Sequence, residues 1–251
     1  MDIRNIGITG ADGYIGSVLA EALADSYSLR RFTLKPEPFE STVADLSEVE
    51  QVRGIFDGLD CVIHLAADSH EDAPWESVLP NNIVATQNVF SEAVKAGVKK
   101  IIFASSNHTQ HGLYMKDGKA NMTDPSIRYQ SKPDEPPHPD SLYGVSKLFG
   151  ENLGRYYSIV REIHFIALRI GWTNIHDDPG YKDGTEMESH QRALFMSKRD
   201  CIQVFRRAIE TDEKFLVAYA TSDNRQYGIF DLKVTREKLG YRPQDSSDRA
   251  G

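Results

Sequence analysis

The sequence has little cysteine and no long apolar run, and these two absences exclude several classes of protein. Its 251 residues contain two cysteines, Cys61 and Cys201, which stand far apart in apolar stretches. We therefore expect two buried thiols and neither a disulfide nor a cysteine metal site. No apolar run reaches the roughly 20 residues that span a bilayer, so no membrane association is expected.

The sequence also lacks a leader pattern and an excess of positive charge. Its first residues, MDIRNIGITG, have neither the basic region nor the apolar core of a signal peptide. Together with the scarce cysteines, this predicts a protein of the reducing cytoplasm. The formal net charge of -8 argues against an extended basic surface, so we expect no nucleic-acid partner.

Apolar runs alternate with amphipathic patterns along the chain, which is typical of a parallel α/β sheet. The expected strands are residues 5–9, 28–34, 61–67, 99–106, 164–170 and 215–221. The expected helices are residues 14–25, 46–59, 75–97 (irregular near Pro80), 141–160, 201–209 and 236–243. We predict a doubly wound parallel sheet of Rossmann type over residues 1–170. Residues 171–251 would form a small substrate-binding subdomain with a frayed tail over residues 244–251.

Residues 112–140 interrupt this alternation. They are polar and contain several prolines, and a loop of this length inside a domain is usually functional or disordered. We interpret the segment as a lid over a substrate, and an inert surface insertion is the alternative.

Glycines follow the first strand at every third position, at Gly10, Gly13 and Gly16. Such glycines permit a tight turn, a close approach of pyrophosphate and close packing of helix on strand. The next helix begins at Tyr14 and Ile15, and its N-terminus offers free N–H groups to phosphate. An ordinary strand–helix turn is the alternative. The position of the loop, at the start of a βαβ unit, favours binding of a dinucleotide.

A tyrosine and a lysine lie four residues apart in YGVSK, which places Tyr143 and Lys147 on one face of a helix. An ammonium and an oxidised nicotinamide beside a phenol both favour the phenolate, which is the base that hydride transfer from an alcohol requires. Ser105 and Ser106 end the preceding strand, and the hydroxyl of one of them could bind the reacting oxygen.

The glycine spacing, the Asp45-Leu46 pair and the YGVSK motif resemble the extended short-chain dehydrogenase/reductase family, also known as the NAD-dependent epimerase/dehydratase superfamily. This resemblance implies that Ser106 is the catalytic serine beside Tyr143 and Lys147. It also implies a homodimer. The remaining cofactor contacts that it implies are Asp45, Leu46, Leu65, Ala66, Ala67 and Asn82.

A narrower group within this family is similar through FASSNHTQHG, LYGVSKLFGENLGRYY, MSKRD and SDNRQY. It comprises uronate dehydrogenases and haloarchaeal NAD-dependent glucose-6-phosphate dehydrogenases, which oxidise an anomeric hydroxyl to a lactone. The substrate contacts that this likeness implies are Ser69, Ser106, Asn107 and His108. The HTQH spacing offers His108 and His111 without a third ligand, so we expect no metal and a solvated His111.

Two departures from this group bear on specificity. Thr33 ends the second strand where NAD-using relatives have an acidic residue. Arg31 and Lys35 are near, so NADP is favoured while NAD stays open. His190 stands where uronate dehydrogenases have a carboxylate-binding arginine. The candidates for an anionic group of the substrate are His190, Arg192, Lys198 and Arg199.

These observations predict an NAD(P)-dependent sugar dehydrogenase whose substrate is a phosphorylated aldose or a hexuronate. A nucleotide-sugar epimerase or dehydratase is the first alternative, although residues 171–251 are few for burying a nucleotide diphosphate. A non-catalytic sensor of NAD(P) is the second alternative, and the presence of Ser106, Tyr143 and Lys147 disfavours it.

Overall fold

Seven parallel strands form one sheet in the computed structural model, which describes residues 1–116, 119–120 and 130–248. The strand order is β3-β2-β1-β4-β5-β8-β9, so the order reverses between β1 and β4. The strands are β1 Asn5–Thr9, β2 Ser28–Thr33, β3 Thr42–Val43, β4 Cys61–His64, β5 Lys100–Ser106, β8 His164–Ile170 and β9 Phe215–Ala220. A separate antiparallel pair is formed by β6 Met115–Lys116 and β7 Lys119–Ala120. The predicted doubly wound α/β class is confirmed.

Helices cover both faces of the sheet. They are α1 Tyr14–Leu23, α2 Val49–Val52, α3 Trp75–Val78, α4 Ala85–Lys95, α5 Leu142–Arg161, α6 Glu188–Leu194, α7 Lys198–Glu210 and α8 Lys233–Leu239. One apolar core joins β1 and β4 to α1 and α7, and a second joins the other face to α4 and α5. Both cysteines are free and buried, as predicted. Among the described residues, no helix has the length and apolarity to cross a membrane.

Helix α5 packs very close to the sheet because glycine, which has no side chain, occupies two of the positions that face the sheet. A Cβ on Gly150 would lie 2.3 Å from the ring of Phe103, and one on Gly154 would lie 2.1 Å from that of Phe165. Beside these glycines, Arg169 on β8 donates to both carboxylate oxygens of Glu151 at 2.9 Å. The hydroxyl of Ser105 also donates to Glu151, at 2.5 Å. Apolar contact and a buried ion pair therefore fix the position of α5.

Several predicted elements are shorter or more broken than expected. The helix predicted over residues 46–59 is wrong beyond Val49–Val52, because Gly54 adopts a left-handed conformation with φ +73° and turns replace the helix. The helix predicted over residues 75–97 is divided by a π-helical segment, Leu79–Val84, which contains Pro80. The strand predicted over residues 61–67 ends at His64. Helix α6 was not predicted.

The C-terminal residues 244–248 are packed, so the predicted fraying of this part is wrong. The backbone N–H of Ser247 donates to Asn224 Oδ1 at 3.0 Å, and its hydroxyl donates to the carbonyl of Arg192 at 2.6 Å. The N–H of Asp245 donates to the buried carboxylate of Asp200 at 3.1 Å. Buried polar groups need partners, and the tail supplies them. Residues 249–251 lie outside the described part.

The division of the chain into two parts near residue 170 stays a prediction. Helix α7 and strand β9 come after this position in the sequence, and they belong to the core and the sheet of the large domain. The segment 112–140 is described only in part. A 3₁₀ turn, His111–Tyr114, opens it, and Gly112 donates to the carbonyl of His138 at 2.8 Å. Residues 117–118 and 121–129 lie outside the described residues, and the lid remains a prediction.

The pair beneath α5 gives a stability prediction. Glu151→Ala leaves the buried guanidinium of Arg169 without its partner, so we expect the free energy of unfolding to fall by about 3–5 kcal/mol. Urea unfolding measures the change. Glu210→Ala, which breaks an exposed pair with Arg207 on α7, is the matched control and should cost about 0–1 kcal/mol. Equal losses in the two variants would contradict the anchoring role.

Candidate active site

A cleft of about 610 Å³ opens at the carboxyl ends of β1, β4, β5 and β8, where the strand order reverses. Ligands of doubly wound sheets bind at this position. The cleft brings together most of the predicted residues: Gly10, Gly13, Tyr14, Ile15, Gly16, Leu65, Ala66, Ala67, Ser69, Ser106, Asn107, His108, Tyr143, Lys147 and His190. The sequence motifs therefore converge on one site.

The glycine loop fits a pyrophosphate. Gly10 has φ +66°, and a Cβ there would lie 2.9 Å from the backbone nitrogen of Ala66. A Cβ on Gly16 would lie 2.2 Å from the carbonyl oxygen of Gly10, so only glycine lets the helix approach the strand this closely. Gly13 is the N-cap of α1 and provides no side-chain cap. The N–H groups of the first turn therefore remain available to phosphate oxygens.

A buried network holds the loop after β4 against the glycine loop. The hydroxyl of Thr9 accepts from the N–H groups of Leu65 and Ala66 at 3.2 and 3.3 Å, and lies 2.8 Å from Nδ1 of His64. Burial lowers the pKa of His64 to about 3. The ring is thus neutral, accepts from Thr9 at Nδ1 and donates from Nε2 to Thr86. Residues 65–67 leave the sheet at this point and line the cleft.

Four residues predicted to bind the cofactor do not line this cleft. The hydroxyl of Thr33 donates to the carbonyl of Lys35, and Asp45 accepts from the N–H and hydroxyl of Ser47. Leu46 lies in the second core. Asn82 is buried and bonds to the backbone of Asp68 and the hydroxyl of Ser146. Thr33 ends β2, and Asp45 and Leu46 follow β3. They lie on the side of the glycine loop away from Tyr143, so a cofactor would have to extend there to reach them.

The three candidate catalytic residues come from two elements. Ser106 ends β5, while Tyr143 and Lys147 lie one turn apart on α5, which begins after its N-cap Ser141. The Nζ of Lys147 is 5.3 Å from the centroid of the Tyr143 ring. Ser105 donates to Glu151 instead, which gives it a structural role.

Burial dominates the electrostatics of this group. It raises the pKa of Tyr143 to about 12, although the Ser106 hydroxyl acts in the opposite direction. It also lowers the pKa of Lys147 to about 7. Sequence reasoning expected the lysine to depress the pKa of the phenol, but in the structure desolvation raises this pKa. Formation of phenolate here therefore requires a further positive charge, such as that of an oxidised nicotinamide.

Three histidines and one carboxylate form a cluster at one end of the cleft. They are His108 and His190, which line the cleft, and His111 and Asp140 behind them. His111 is buried and its Nδ1 lies 2.7 Å from Asp140, so the predicted solvated His111 is wrong. His108 Nδ1 lies 2.8 Å from the same carboxylate oxygen. Asp140 is a third potential ligand that sequence analysis did not see, and the ligand atoms of the three lie within 4.8 Å. Their N···O distances are those of hydrogen bonds.

Three of the four cations proposed for an anionic group lie away from the cleft. Arg192 is buried, pairs with Asp183 and donates to the carbonyl of Ser247. Arg199 pairs with Asp245, and Lys198 lies 3.7 Å from Glu21. These ion pairs serve the C-terminal tail and the surface. Among the four candidates, the structure therefore places His190 alone at the cleft.

His190 is neutral at physiological pH. Burial lowers its pKa to about 4, and the nearby His111 and His108 act in the same direction. Its ring centroid lies 4.8 Å from that of His111. Its Nδ1 is buried and has no hydrogen-bond partner within the described part of the chain.

Sequence reasoning missed several residues of the cleft. They are Asp12, Glu71, Trp172, Thr173, Met187 and Gln191, to which Asp140 is added as the partner of two histidines. Only Asp140 carried a usable signal, since it immediately precedes the N-cap of the helix that holds Tyr143. Asp12 lies within the glycine loop itself, and the others lie in loops after the strands or at α6, which the sequence did not predict.

Comparison with known proteins agrees with this geometry. The chain matches the model of the NAD dependent epimerase/dehydratase family over residues 6–172. It is 39% identical over 251 residues to NAD-dependent glucose-6-phosphate dehydrogenase of Haloferax volcanii, covering 96% of this chain and 93% of the relative. It is 36% identical to L-arabinose 1-dehydrogenase (NAD(P)(+)) of the same organism, covering 98% of each.

A solved structure is similar over nearly the whole chain. It is the crystal structure of a mutant uronate dehydrogenase from Agrobacterium tumefaciens complexed with NAD. The TM-score is 0.81 at 28% identity, and the match covers 98% of this chain and 86% of that one. The likeness inferred from the motifs is confirmed, and the chain belongs to the NAD dependent epimerase/dehydratase family.

Proposed function

We propose that this protein is an NAD(P)-dependent dehydrogenase that oxidises the anomeric hydroxyl of an anionic aldose to a lactone, the aldose being a glucose 6-phosphate-like sugar or a hexuronate. The observation that carries the proposal is the convergence of Ser106, Tyr143 and Lys147 beside the glycine loop in one cleft. The relatives named for glucose 6-phosphate, L-arabinose and uronate support a sugar as the substrate.

The residues divide the chemistry among them. An oxidised nicotinamide cofactor, with its pyrophosphate held at the glycine loop of Gly10, Gly13 and Gly16, would supply the acceptor for the hydride of the anomeric carbon. Tyr143 takes the proton of the anomeric hydroxyl as general base. The Ser106 hydroxyl donates to the reacting oxygen and holds it near the phenol. Lys147, buried beside the Tyr143 ring, supplies positive charge that stabilises the phenolate and offers N–H donors to the ribose of the cofactor.

Two assignments accompany this proposal. The exposed apolar side chains of α3, the π-helical segment and α5 support a homodimer through these helices, and they include Trp75, Leu79, Leu142 and Val145. The two buried free thiols support a reducing cytoplasm as the location.

The role of Tyr143 is tested by Tyr143→Phe, which removes the base but keeps the ring. We expect kcat to fall roughly 100- to 10,000-fold, the range for general acid–base catalysis, with unchanged cofactor binding. Initial rates of cofactor reduction with glucose 6-phosphate, glucuronate, galacturonate and L-arabinose provide the measurement. Tyr156→Phe, at an exposed position of α5, is the matched control. Unchanged turnover would reject the mechanism. No reduction of either cofactor with any sugar would favour an epimerase or a sensor.

We propose that NADP is preferred over NAD. Thr33 ends β2 without an acidic side chain, and Arg31 and Lys35 flank it, with the Arg31 guanidinium 4.7 Å above the Phe39 ring. Arg31→Ala and Lys35→Ala should each raise the KM for NADP by about 5-fold, the scale of one exposed ion pair, and leave that for NAD unchanged. Lys95→Ala, on α4, controls for loss of charge. No change in either KM would mean that these cations face solvent only, and equal increases for both cofactors would place them at a part that NAD and NADP share.

We propose that His190 meets the anionic group of the substrate. Binding of an anion favours the protonated ring and raises a pKa that is about 4 in the free protein, so anion binding takes up a proton. The preference for glucuronate over glucose, as a ratio of kcat/KM, should therefore fall as pH rises from 5 to 8, by up to tenfold per unit. Comparing the two sugars cancels the titration of Tyr143.

Two variants sharpen this test. His190→Arg carries a fixed charge and should make the preference for glucuronate independent of pH, and His190→Asn should abolish the preference. A wild-type ratio that stays constant across this pH range would place the anionic group elsewhere.

A further inference from the structure

Asp140 lies between two histidines at the substrate end of the cleft. Its Oδ2 is 2.8 Å from Nδ1 of His108 and 2.7 Å from Nδ1 of His111. The hydroxyl of Ser141 donates to its Oδ1 at 3.0 Å. Although burial opposes ionisation, the hydrogen bonds from the two rings hold the pKa of Asp140 well below its ordinary value. The carboxylate is therefore ionised at neutral pH and can only accept hydrogen bonds.

An acceptor at this position determines which nitrogen of each ring carries the proton. Both Nδ1 atoms must donate to the carboxylate, so in the neutral rings the lone pair stands on Nε2. His108 lines the cleft, and its Nε2 is 3.7 Å from the exposed carboxylate of Glu71, beyond hydrogen-bonding distance. The Nε2 of His108 is thus left as an acceptor for a ligand.

Two neighbouring side chains also offer hydrogen-bond acceptors. The Nδ2 of Asn107 donates to the carbonyl of Ile170 at 3.1 Å, which fixes the amide and leaves its buried Oδ1 without a partner among the described residues. Gln191 also has a buried amide oxygen without a partner in this part of the chain. Acceptors that converge in this way match the hydroxyl donors of a sugar.

The backbone from Asp140 to Gly144 fixes the distance between His108 and Tyr143, the proposed base. The N–H of Asp140 approaches the carbonyl of His108 at 3.4 Å. A Cβ on Gly144, in the first turn of α5, would lie 2.4 Å from that carbonyl oxygen. The rings of His108 and Tyr143 are 5.6 Å apart, and the N–H of His108 donates to the hydroxyl of Ser106 at 3.2 Å.

We propose that Asp140 is a positioning residue that holds His108 and His111 in the Nδ1–H form, so that His108 accepts a hydrogen bond from a ring hydroxyl of the aldose while Tyr143 acts on the anomeric one. This rests on the proposed function for the identity of the ligand. The tautomers themselves do not depend on it, because the contacts that set them lie within the protein.

The first test observes the tautomers directly. Two-bond ¹H–¹⁵N correlation spectra of the full chain, labelled at histidine nitrogen, distinguish the two neutral forms and the imidazolium. In the neutral form of each ring we expect Nδ1–H and an unprotonated Nε2, and the signals are assigned with His108→Asn and His111→Asn. Asp140→Asn should shift at least one ring to the Nε2–H form, since its amide NH₂ can donate where the carboxylate accepted. A neutral wild-type His108 that is protonated at Nε2 would overturn the proposal.

The second test is kinetic and uses the same substitution. Asp140→Asn should raise the KM for the aldose by about 10- to 100-fold, as expected when a buried partner is lost, with a smaller effect on kcat and none on the KM of the cofactor. Asp134→Asn, an exposed position in the same segment, is the matched control. Among monodeoxy aldoses, the penalty for one missing hydroxyl should disappear in Asp140→Asn and in His108→Asn alike.

The outcomes separate the two proposals. If Asp140→Asn lowers thermal stability, kcat and cofactor affinity together and keeps the deoxy penalties, its role is structural and the inference fails. If the wild-type protein oxidises no aldose, the proposed function fails, and the tautomer spectra still decide the role of Asp140.

Discussion

The close seating of α5 on the sheet is the constraint on which the site depends. Tyr143 and Lys147 project from its first turns, and Ser106 ends the strand beneath it. Gly150 and Gly154 permit the approach, because any side chain there would overlap the rings of the sheet. The bidentate pair between Glu151 and Arg169 then prevents the helix from sliding. The geometry of the proposed catalytic residues is thus set about two helical turns away from Tyr143.

The ionisable groups of the cleft share one property: burial favours their neutral forms. Burial raises the pKa of Tyr143 and lowers those of Lys147 and His190. A charge on a bound ligand interacts strongly with neighbouring groups in such low-dielectric surroundings. A positive nicotinamide would favour the phenolate, and an anionic sugar would favour protonation of His190. Asp140 is the exception, because two N–H donors keep it ionised.

The C-terminal part determines which cations are available to the cleft. Arg192 forms an ion pair with Asp183, and Arg199 forms one with Asp245 of the C-terminal tail. The sequence analysis proposed both arginines as candidates for binding an anionic group of the substrate, but in the folded chain neither of them lines the cleft. The buried carboxylate of Asp200, which accepts from the backbone of the tail, organises the same region.

The sequence alone determined the fold class, the glycine loop and the Ser106, Tyr143 and Lys147 set. The fold class, the glycine loop and the Tyr143–Lys147 pair follow from local patterns: alternating apolar periodicity, glycine spacing after a strand, and two residues one helical turn apart. The choice of Ser106 over Ser105 came from the family resemblance. Whether Arg192 faced the cleft depended on contacts between segments far apart in the chain. The same holds for His111 and Asp140, which meet across 29 residues. Tertiary structure decided these points because burial and hydrogen-bond partners are properties of the packed chain, which local patterns do not contain.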